Sequence, residues 1–381
     1  MTARPAHNRI VPIITKEFRQ IRRDPRTMGI LLFVPVFMLT MFGYALNFDV
    51  KHTPLAVVDD DATAQSRDLV AQFGHSEFFD IKYELRDAGG IDRLLGTERA
   101  RLALVVPHGY AAELQAGRAP RVQFLVDGAN ANAATTVLGY LEATLAAYAQ
   151  RLTVERIIRA GPAAVTLPLD YRPRVWFNPE LKSAKFLIPG LIGFILMVVA
   201  VISTTLSIVR EKERGTMEQL VVSPVTPLEM VIGKTAPYVV IALLSTTMIL
   251  GLGALLFDVQ VRGSLPLLYG VTLVFILAAL GMGILISTIA DTQQVAFMIA
   301  VIATMLPSYI LSGFVFPIRN MPVAVQLVTY TVPARYYLAC IRAIILKGAG
   351  LGSFWQNAAA LCVFAALTLG AAAVRIKLKK L

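Results

Sequence analysis

The tripeptide Gly233-Lys234-Thr235 carries the most suggestive chemistry in this sequence, because Gly-Lys-Thr ends the phosphate-cradling loop G-x-x-x-x-G-K-[ST] of nucleotide hydrolases. The first glycine of that pattern is absent. Leu228 occupies its place and the tripeptide opens an apolar helix, so the chain is not expected to bind or hydrolyse ATP by itself. Cys340 and Cys362 sit in apolar surroundings with no C-x-x-C and no neighbouring histidine, and they read as two small buried hydrophobes. His7, His52, His75 and His108 are scattered without ligand spacing. Asp59, Asp60 and Asp61 are the one acidic cluster that suggests a metal. It closes a strand and precedes a helix, the place of a turn and N-cap, and Asp127-Gly128-Ala129-Asn130 has the same form.

Two further groups of polar residues need a setting before they need a chemistry. The string Arg210-Glu-Lys-Glu-Arg-Gly-Thr-Met-Glu-Gln-Leu220, followed by Ser223-Pro224 and Pro227, suits a short charged surface helix ended by prolines, or a solvated loop. Ser203, Thr204, Thr205 and Ser207, and then Thr304, Ser308 and Tyr309 beside Pro307, are hydroxyls inside apolar runs. Such groups line a polar pathway, bond their own helix backbone, or join helices. Gly251, Gly253, Gly281 and Gly283 read as positions of close helix packing.

The elements that would position them are membrane helices. Of 381 residues 56% are hydrophobic and 16% charged, against about 25% charged in soluble domains, which excludes an ordinary cytosolic enzyme. The mean hydropathy is +0.63. Residues 27–47, 186–209, 235–257, 263–290, 292–318 and 348–374 contain no Asp, Glu, Lys or Arg. At about 1.5 Å per residue each can cross a hydrocarbon core of about 30 Å. The first run is too long for a secretory h-region and is followed by no cleavage pattern, so it stays as a span. None of the six stretches carries an ionisable group of the kind proton- or sodium-coupled transport uses.

The net charge of +11 is concentrated at the ends, with +5 in residues 1–26 and +4 in the tail 375–381. The positive-inside rule puts both ends in the cytoplasm, with 210–234 also inside and 48–185 outside. It need not signal nucleic acid, and none is expected as a partner. Arg319, Arg335, Arg342 and Lys347 run against this scheme, since their loop falls outside. A seventh span at 327–346 would bury two arginines at about 2.5–3.5 kcal/mol each. Tyr336–Lys347 is read instead as an amphipathic helix at the outer interface with its arginines snorkelling.

Between the first two spans, 48–185 is long enough for a domain of its own. Strand patterns at Pro54–Asp59, Phe78–Leu85, Arg101–Val106 and Val122–Val126 alternate with helical ones at Gln65–Phe73, Gly90–Leu95 and Asn132–Ala160, which argues for a small α/β domain. The proline-bearing stretch 161–185 reads as a connector. The fold class is thus an α-helical polytopic membrane protein of six transmembrane helices with a small α/β domain inserted after the first.

Glu211, Glu213, Arg214, Gly215, Thr216, Glu218, Leu220, Ser223 and Pro224, with Glu229, Gly233 and Lys234 following, resemble the E-x-x-G-T-x-E-x-L…S-P signature of ABC-2 type exporter permeases. Lys16-Glu17…Arg22-Arg23-Asp24-Pro25 looks like that family's cytoplasmic connecting helix. Val122–Gly128 with Asn132 looks like the extracytoplasmic domain of its drug-efflux-like subgroup, and Leu311–Pro317, Met321-Pro322, Pro333 and Lys347-Gly348 like its outer re-entrant region, here 317–354. The resemblance implies a multi-pass inner-membrane subunit of an exporter. Its ATP and magnesium would be held by a separate ABC ATPase subunit, and this chain would bind no cofactor or metal. It implies a dimer, with a second permease chain of the same or another kind, and admits a periplasmic membrane-fusion protein as a further partner. The segment 210–230 would be the coupling loop, with Glu211, Glu213, Arg214, Gly215, Thr216, Glu218 and Leu220 meeting the ATPase. Ser203, Thr204, Thr205, Thr304, Ser308 and Tyr309 are the candidates for a substrate pathway through 186–374. Uncharged spans suit hydrophobic or amphipathic cargo such as drugs or lipids. A secondary transporter would call for inverted repeats, which a lone insert after one span does not suggest. A membrane-anchored sensor would leave five spans and the charged loop idle.

Overall fold

The computed structural model describes residues 7–45, 52–129, 131–160, 177–178, 182–215 and 226–378. The chain divides into two compact units, one of residues 48–174 and one formed by 1–47 with 175–381. The second unit opens with helix α1, His7–Arg23, which a break at Asp24 separates from α2, Pro25–Ala45. Pro25 explains the break, since the residue before a proline is steered away from helical backbone.

The smaller unit is a four-stranded sheet with helices on it. In chain order it runs β1 (Thr53–Asp59), α3 (Ala64–Gly74), β2 (Phe79–Leu85), α4 (Ile91–Gly96), β3 (Leu102–Val106), α5 (Tyr110–Gln115), β4 (Gln123–Val126) and α6 (Ala131–Ala160). The strand order is β2-β1-β3-β4, with β1 parallel to both neighbours and β4 antiparallel to β3. Alternation along β1 sends Leu55 and Val57 to one face and Ala56 and Val58 to the other. The first face packs under Phe73, Phe79, Tyr140 and Tyr148, and the second under Ile91 and Leu94. Every strand and helix expected in this region is present within two residues, and α5 adds a helix that its brevity hides in the sequence.

The aspartate cluster does the structural work expected of it. Asp59 accepts from the Ser66 hydroxyl and from the amides of Asp61 and Ala62, and Thr63 with Ser66 forms a capping box on α3. Asp61 reaches across to the start of α5, accepting from the Gly109 and Ala111 amides at 2.8 and 3.1 Å and from Thr63 Oγ1 at 2.7 Å. The Thr63 hydroxyl chiefly, and then the two amides, hold this carboxyl below its ordinary range. A lowered folded-state pKa gives stability that is full above the ordinary carboxylate range and is lost as pH falls through the lowered value. Amide exchange at residues 109–115, corrected for intrinsic rates, should therefore lose protection on acidification, and Asp61→Ala should lack that protection already at neutral pH. Equal protection in wild type and variant would contradict the cap.

The larger unit continues with α7 (Ser183–Glu213), α8 (Pro227–Phe257), α9 (Leu265–Ser287), α10 (Gln293–Leu306), α11 (Val323–Thr329), α12 (Pro333–Lys347) and α13 (Trp355–Leu378). A π-turn at Pro307–Leu311 extends α10, placed where proline lacks the N–H that would continue the ladder. Among the described residues six helices, α2, α7, α8, α9, α10 with its extension and α13, are long and apolar enough to cross a membrane. Successive ones alternate in direction, so that α1, the end of α7 and the start of α8 share one end of the bundle. The opposite end carries the start of α7, the end of α8, α11 and α12. Helix α7 is apolar all round and is buried along nearly all of Leu187–Val201, the pattern of a central helix. Glycines let its neighbours close on it. A Cβ at Gly283 of α9 would stand 2.8 Å from the Val201 carbonyl, and one at Gly193 would stand 2.6 Å from Leu338 of α12. Gly281 meets Thr368 of α13 in the same way, and Gly253 touches Ile188. Gly251 is a correction: it is exposed with no atom near it, so it packs against nothing within this chain.

Helix α12 corrects a second expectation. It does not lie on the surface with snorkelling arginines, but buries Tyr337, Leu338, Cys340, Ile341 and Ile344 against α7 and α9, where Tyr337 stacks on Phe275 and its hydroxyl lies 2.9 Å from Thr272 Oγ1. Its arginines turn into the protein. Arg342 donates to the Gly313 and Phe314 carbonyls at 2.8 and 3.1 Å across the Phe186 ring. Arg335 lies over Tyr330 and donates to Thr329. Carbonyls at the buried turn after the π segment give the Arg342 guanidinium what water would otherwise supply, and the Gln326 carbonyl with the Thr329 hydroxyl do so for Arg335. Cys340 is buried as expected, while Cys362 is exposed on α13 and is not a core hydrophobe.

Candidate functional site

The first part of the charged string after the second span, Arg210–Glu213, is the last turn of a long helix. Helix α7 runs unbroken through Arg210, Glu211, Lys212 and Glu213, and Gly215 closes it in the left-handed region at φ 67°, its amide donating to the Lys212 carbonyl at 3.0 Å. Arg214 is exposed at this C-cap. Thr216, Glu218 and Leu220 lie outside the described residues, as do Ser223 and Pro224. Glu229, by contrast, is fixed as the capping-box partner of Thr226 at the start of α8, where Pro227 takes the first helical position.

Four consecutive side chains of this turn tie it to α1, α8, α9 and α10. Arg210 meets Asp24, between α1 and α2, at 3.3 Å and donates to the Gln293 side chain at 3.4 Å. Glu211 binds Lys16 of α1 at 2.5 Å with one oxygen and Lys234 of α8 with the other. Lys212 donates to the Ser287 and Ala290 carbonyls at 2.6 and 3.3 Å, meeting the carbonyls that the end of α9 leaves open. Glu213 accepts from the Gln293 amide at 2.7 Å and from its side-chain amide, holding the first turn of α10. A 3.6-residue turn distributes consecutive residues around the axis, and Arg210 and Glu213, three apart, meet on Gln293.

At the centre is a buried group of alternating charge. Glu17, Glu211 and Lys234 are 1%, 4% and 3% exposed. Lys234 also meets Glu17 at 3.3 Å, and Lys16 stands 3.7 Å from Glu17. The buried Lys234 thus meets two buried carboxylates, and the half-exposed ammonium of Lys16 balances the remaining charge. Burial works against the charge on Lys16, but Glu211 and then Glu17 outweigh it and lift its pKa above the ordinary lysine value. Its contribution is full below that ordinary value and is lost only as pH rises through the higher folded-state one, so Lys16 is charged throughout the neutral range. Helix α1 can come this close because Gly233 faces Ile13, where a Cβ would stand 2.6 Å from Cγ2. The residues that resemble a failed phosphate loop are therefore a docking point for a helix. Glycine gives the approach and Lys234 the charge.

The hydroxyls considered for a pathway have mostly local partners. Ser203 and Thr304 donate to Val199 and Ala300 of their own helices, both at 2.6 Å, and Thr205 joins α7 to α9 through the Gly283 carbonyl at 2.9 Å. Thr204 and Ser308 are buried with hydroxyls that meet no hydrogen-bond partner among the described residues. Tyr309 packs its ring between Phe194 and Phe314. Sequence reasoning missed Lys16, Glu17 and Lys234 as members of one site. A lone lysine early in an apolar helix, eight residues after its capping Thr226, is the signal that marks Lys234.

Among the described residues, six membrane-length helices, an amphipathic helix docked by buried charge and a helix end tied to four others define a polytopic membrane protein. The model of the family described as ABC-2 family transporter protein matches residues 25–374. The chain is 32% identical over 365 residues, 96% of its own length and 97% of the relative's, to the probable multidrug ABC transporter permease YbhR of Escherichia coli K12. It is 33% identical over 341 residues, 89% of each chain, to the probable multidrug ABC transporter permease YbhS of the same strain. The inner membrane transport permease YhhJ of that strain is 27% identical over 347 residues, 90% of each. The chain belongs to the ABC-2 family of transporter permeases.

Proposed function

We propose that this chain is the membrane-spanning half of an ATP-driven exporter of hydrophobic or amphipathic compounds, and that a separate ABC ATPase, carrying ATP and magnesium, docks at the bundle end formed by α1, the end of α7 and the start of α8. The observation that carries this reading is the last turn of α7. Whatever moves the adjoining 216–225 segment moves Arg210–Glu213, and through them α1, α8, α9 and α10 together. The names of YbhR and YbhS favour drug-like cargo. On this reading that end and both termini face the cytoplasm, residues 48–185 lie outside the inner membrane, and two permease chains of the same or different kind complete the transporter. A periplasmic membrane-fusion protein is a further partner. Thr204 and Ser308, buried with unspent hydroxyls on α7 and at the end of α10, are the first of the pathway candidates to test, ahead of Ser203, Thr205, Thr304 and Tyr309.

Two measurements check it. Purification from its native membrane should bring down an ABC ATPase whose hydrolysis rises with exported compounds. A cysteine at Arg118→Cys should be labelled from outside in intact cells, and one at Arg214→Cys only after permeabilisation. Export that continues without an ATPase and collapses with the proton gradient would overturn the ATP-driven reading, and the reverse labelling pattern would overturn the orientation.

A further inference from the structure

Helix α1 docks by one face and leaves the opposite one open. At about 100° per residue Ile13, Glu17 and Ile21 share a face, and all three are buried. The opposite face carries Val11, Phe18 and Arg22 along one edge and Arg19 and Arg23 along the other, all of them exposed. Arg22 and Arg23 stand three and four positions after Arg19, so the three cations leave adjoining turns of one helix surface. None of them meets a carboxylate or other side-chain partner among the described residues. Like charges at this spacing oppose the helix that carries them unless an anion joins them.

The height of α1 on the bundle follows from its contacts with α8. Ile13 faces Gly233, Glu17 meets Lys234, and Tyr238 walls a small cleft with Glu17 and Ile21. These contacts fall where the charge-free stretch 235–257 begins, the level at which a span enters hydrocarbon. Arg23 ends α1, and α2 starts at Pro25. On α2 Ile30, Phe33 and Phe37 repeat at three and four positions as an exposed apolar stripe, with Phe33 65% exposed and stacked on Phe37. Ile30 lies about 8 Å along the axis from the first residue of α2, within the depth of one leaflet of about 15 Å. Unpaired cations, an apolar edge and a membrane-facing stripe thus follow one another along α1 and α2.

We propose that this open face of α1 binds anionic phospholipid. The phosphate sits among Arg19, Arg22 and Arg23, Val11 and Phe18 enter the boundary between headgroups and acyl chains, and the acyl chains run along Ile30, Phe33 and Phe37. Basic residues beside apolar ones on a single helix at this depth suit an anionic bilayer surface. An acidic protein surface would answer the arginines but would leave Val11, Phe18 and the stripe on α2 unused. Lys16 is given to Glu211 and Glu17, so the lipid competes for none of the docking charges. The site is built from α1 and α2 alone and needs neither the ATPase nor one orientation of the chain.

The test uses the full chain, purified in detergent, stripped of lipid and titrated with phosphatidylglycerol or phosphatidylcholine under native mass spectrometry. Phosphatidylglycerol should be retained in preference. Arg22→Gln should weaken its retention about fivefold, as expected for one basic residue near an anionic lipid, and adding Arg19→Gln and Arg23→Gln should remove the preference. Phe18→Ser should weaken retention with no change of charge. Lysine at all three positions should keep most of it, which a misfolded protein would not show. Arg86→Gln, Arg118→Gln and Arg121→Gln together, an equal loss of exposed charge in the smaller unit, should leave it unchanged. Equal losses in the two triple variants, or a wild-type preference in the α1 triple variant, would overturn the site. If that variant kept the preference but no longer brought down an ATPase, the face would belong to a protein partner and not to lipid.

Discussion

Glu211→Gln and Lys234→Met should each sharply lower the amount of folded, monodisperse protein, by about 3–5 kcal/mol of stability. Each removes one member of a buried group whose charges balance. Glu211→Gln leaves Lys234, 3% exposed, and Lys16 sharing only Glu17, and Lys234→Met leaves Glu17 and Glu211 with only Lys16. A loss of that size is a large fraction of the 5–15 kcal/mol by which a typical folded domain is stable. The double variant should lose less than the two single losses added together, because it leaves Lys16 with Glu17 and no unbalanced charge. Thermal unfolding followed by size-exclusion chromatography reads all three. Additive losses, or single variants as stable as wild type, would mean that the charges do not act as one group. The sequence by itself predicts the opposite for Glu211, near-neutral folding with loss of ATPase contact, because a charged residue after a span reads as solvated.

Gly283→Val should be comparably damaging for a different reason. The atoms a Cβ would meet are the Val201 carbonyl oxygen at 2.8 Å, Thr204 Cβ at 3.0 Å and Val201 Cα at 3.3 Å. Two of the three are backbone of the central helix, which cannot rotate aside as a side chain would. Helices α7 and α9 must part, and the Thr205 bond to the Gly283 carbonyl goes with them. Overpacking of this kind costs about 1–3 kcal/mol and more where nothing yields. Gly251→Val is the matched control, an exposed position with no atom within 4 Å, and should change stability by less than about 0.5 kcal/mol. Folded yield and unfolding temperature of the two variants, side by side, check both statements. Equal effects would show that the approach of α7 and α9 is not set by Gly283.

The contrast between these two residues shows what the sequence discloses. Stretches without charge mark six spans, since the bilayer imposes one simple rule on every residue in them. The inserted domain is equally legible, because alternation in Leu55-Ala56-Val57-Val58 and the turn chemistry at Asp59–Thr63 are local signals. Gly281, Gly283 and Gly251 look alike in sequence, and only the neighbouring helix decides which of them is a contact. Lys16, Glu211 and Lys234 were invisible as a set for the same reason. Lys16 and Glu211 are 195 positions apart, and no periodicity links α1 to the end of α7. Arg342 misled in a related way. A cation on an apolar helix reads as snorkelling until the carbonyls of Gly313 and Phe314, 29 and 28 positions away, are seen to receive it.

The central claim is that the last turn of α7 carries the motion of a bound ATPase into α9 and α10. Lys212→Met combined with Glu213→Ala removes the bonds of Lys212 to the end of α9 and of Glu213 to the start of α10, and leaves the longer Arg210–Gln293 contact and the buried charges of Glu17, Glu211 and Lys234 untouched. With the variant and its ATPase in proteoliposomes, the measurement is export per ATP hydrolysed. The account predicts retained assembly and near-normal hydrolysis, with export per ATP lower by about tenfold, within the 0.5–2 kcal/mol by which residues along a coupling route modulate it. Export per ATP equal to wild type would contradict it.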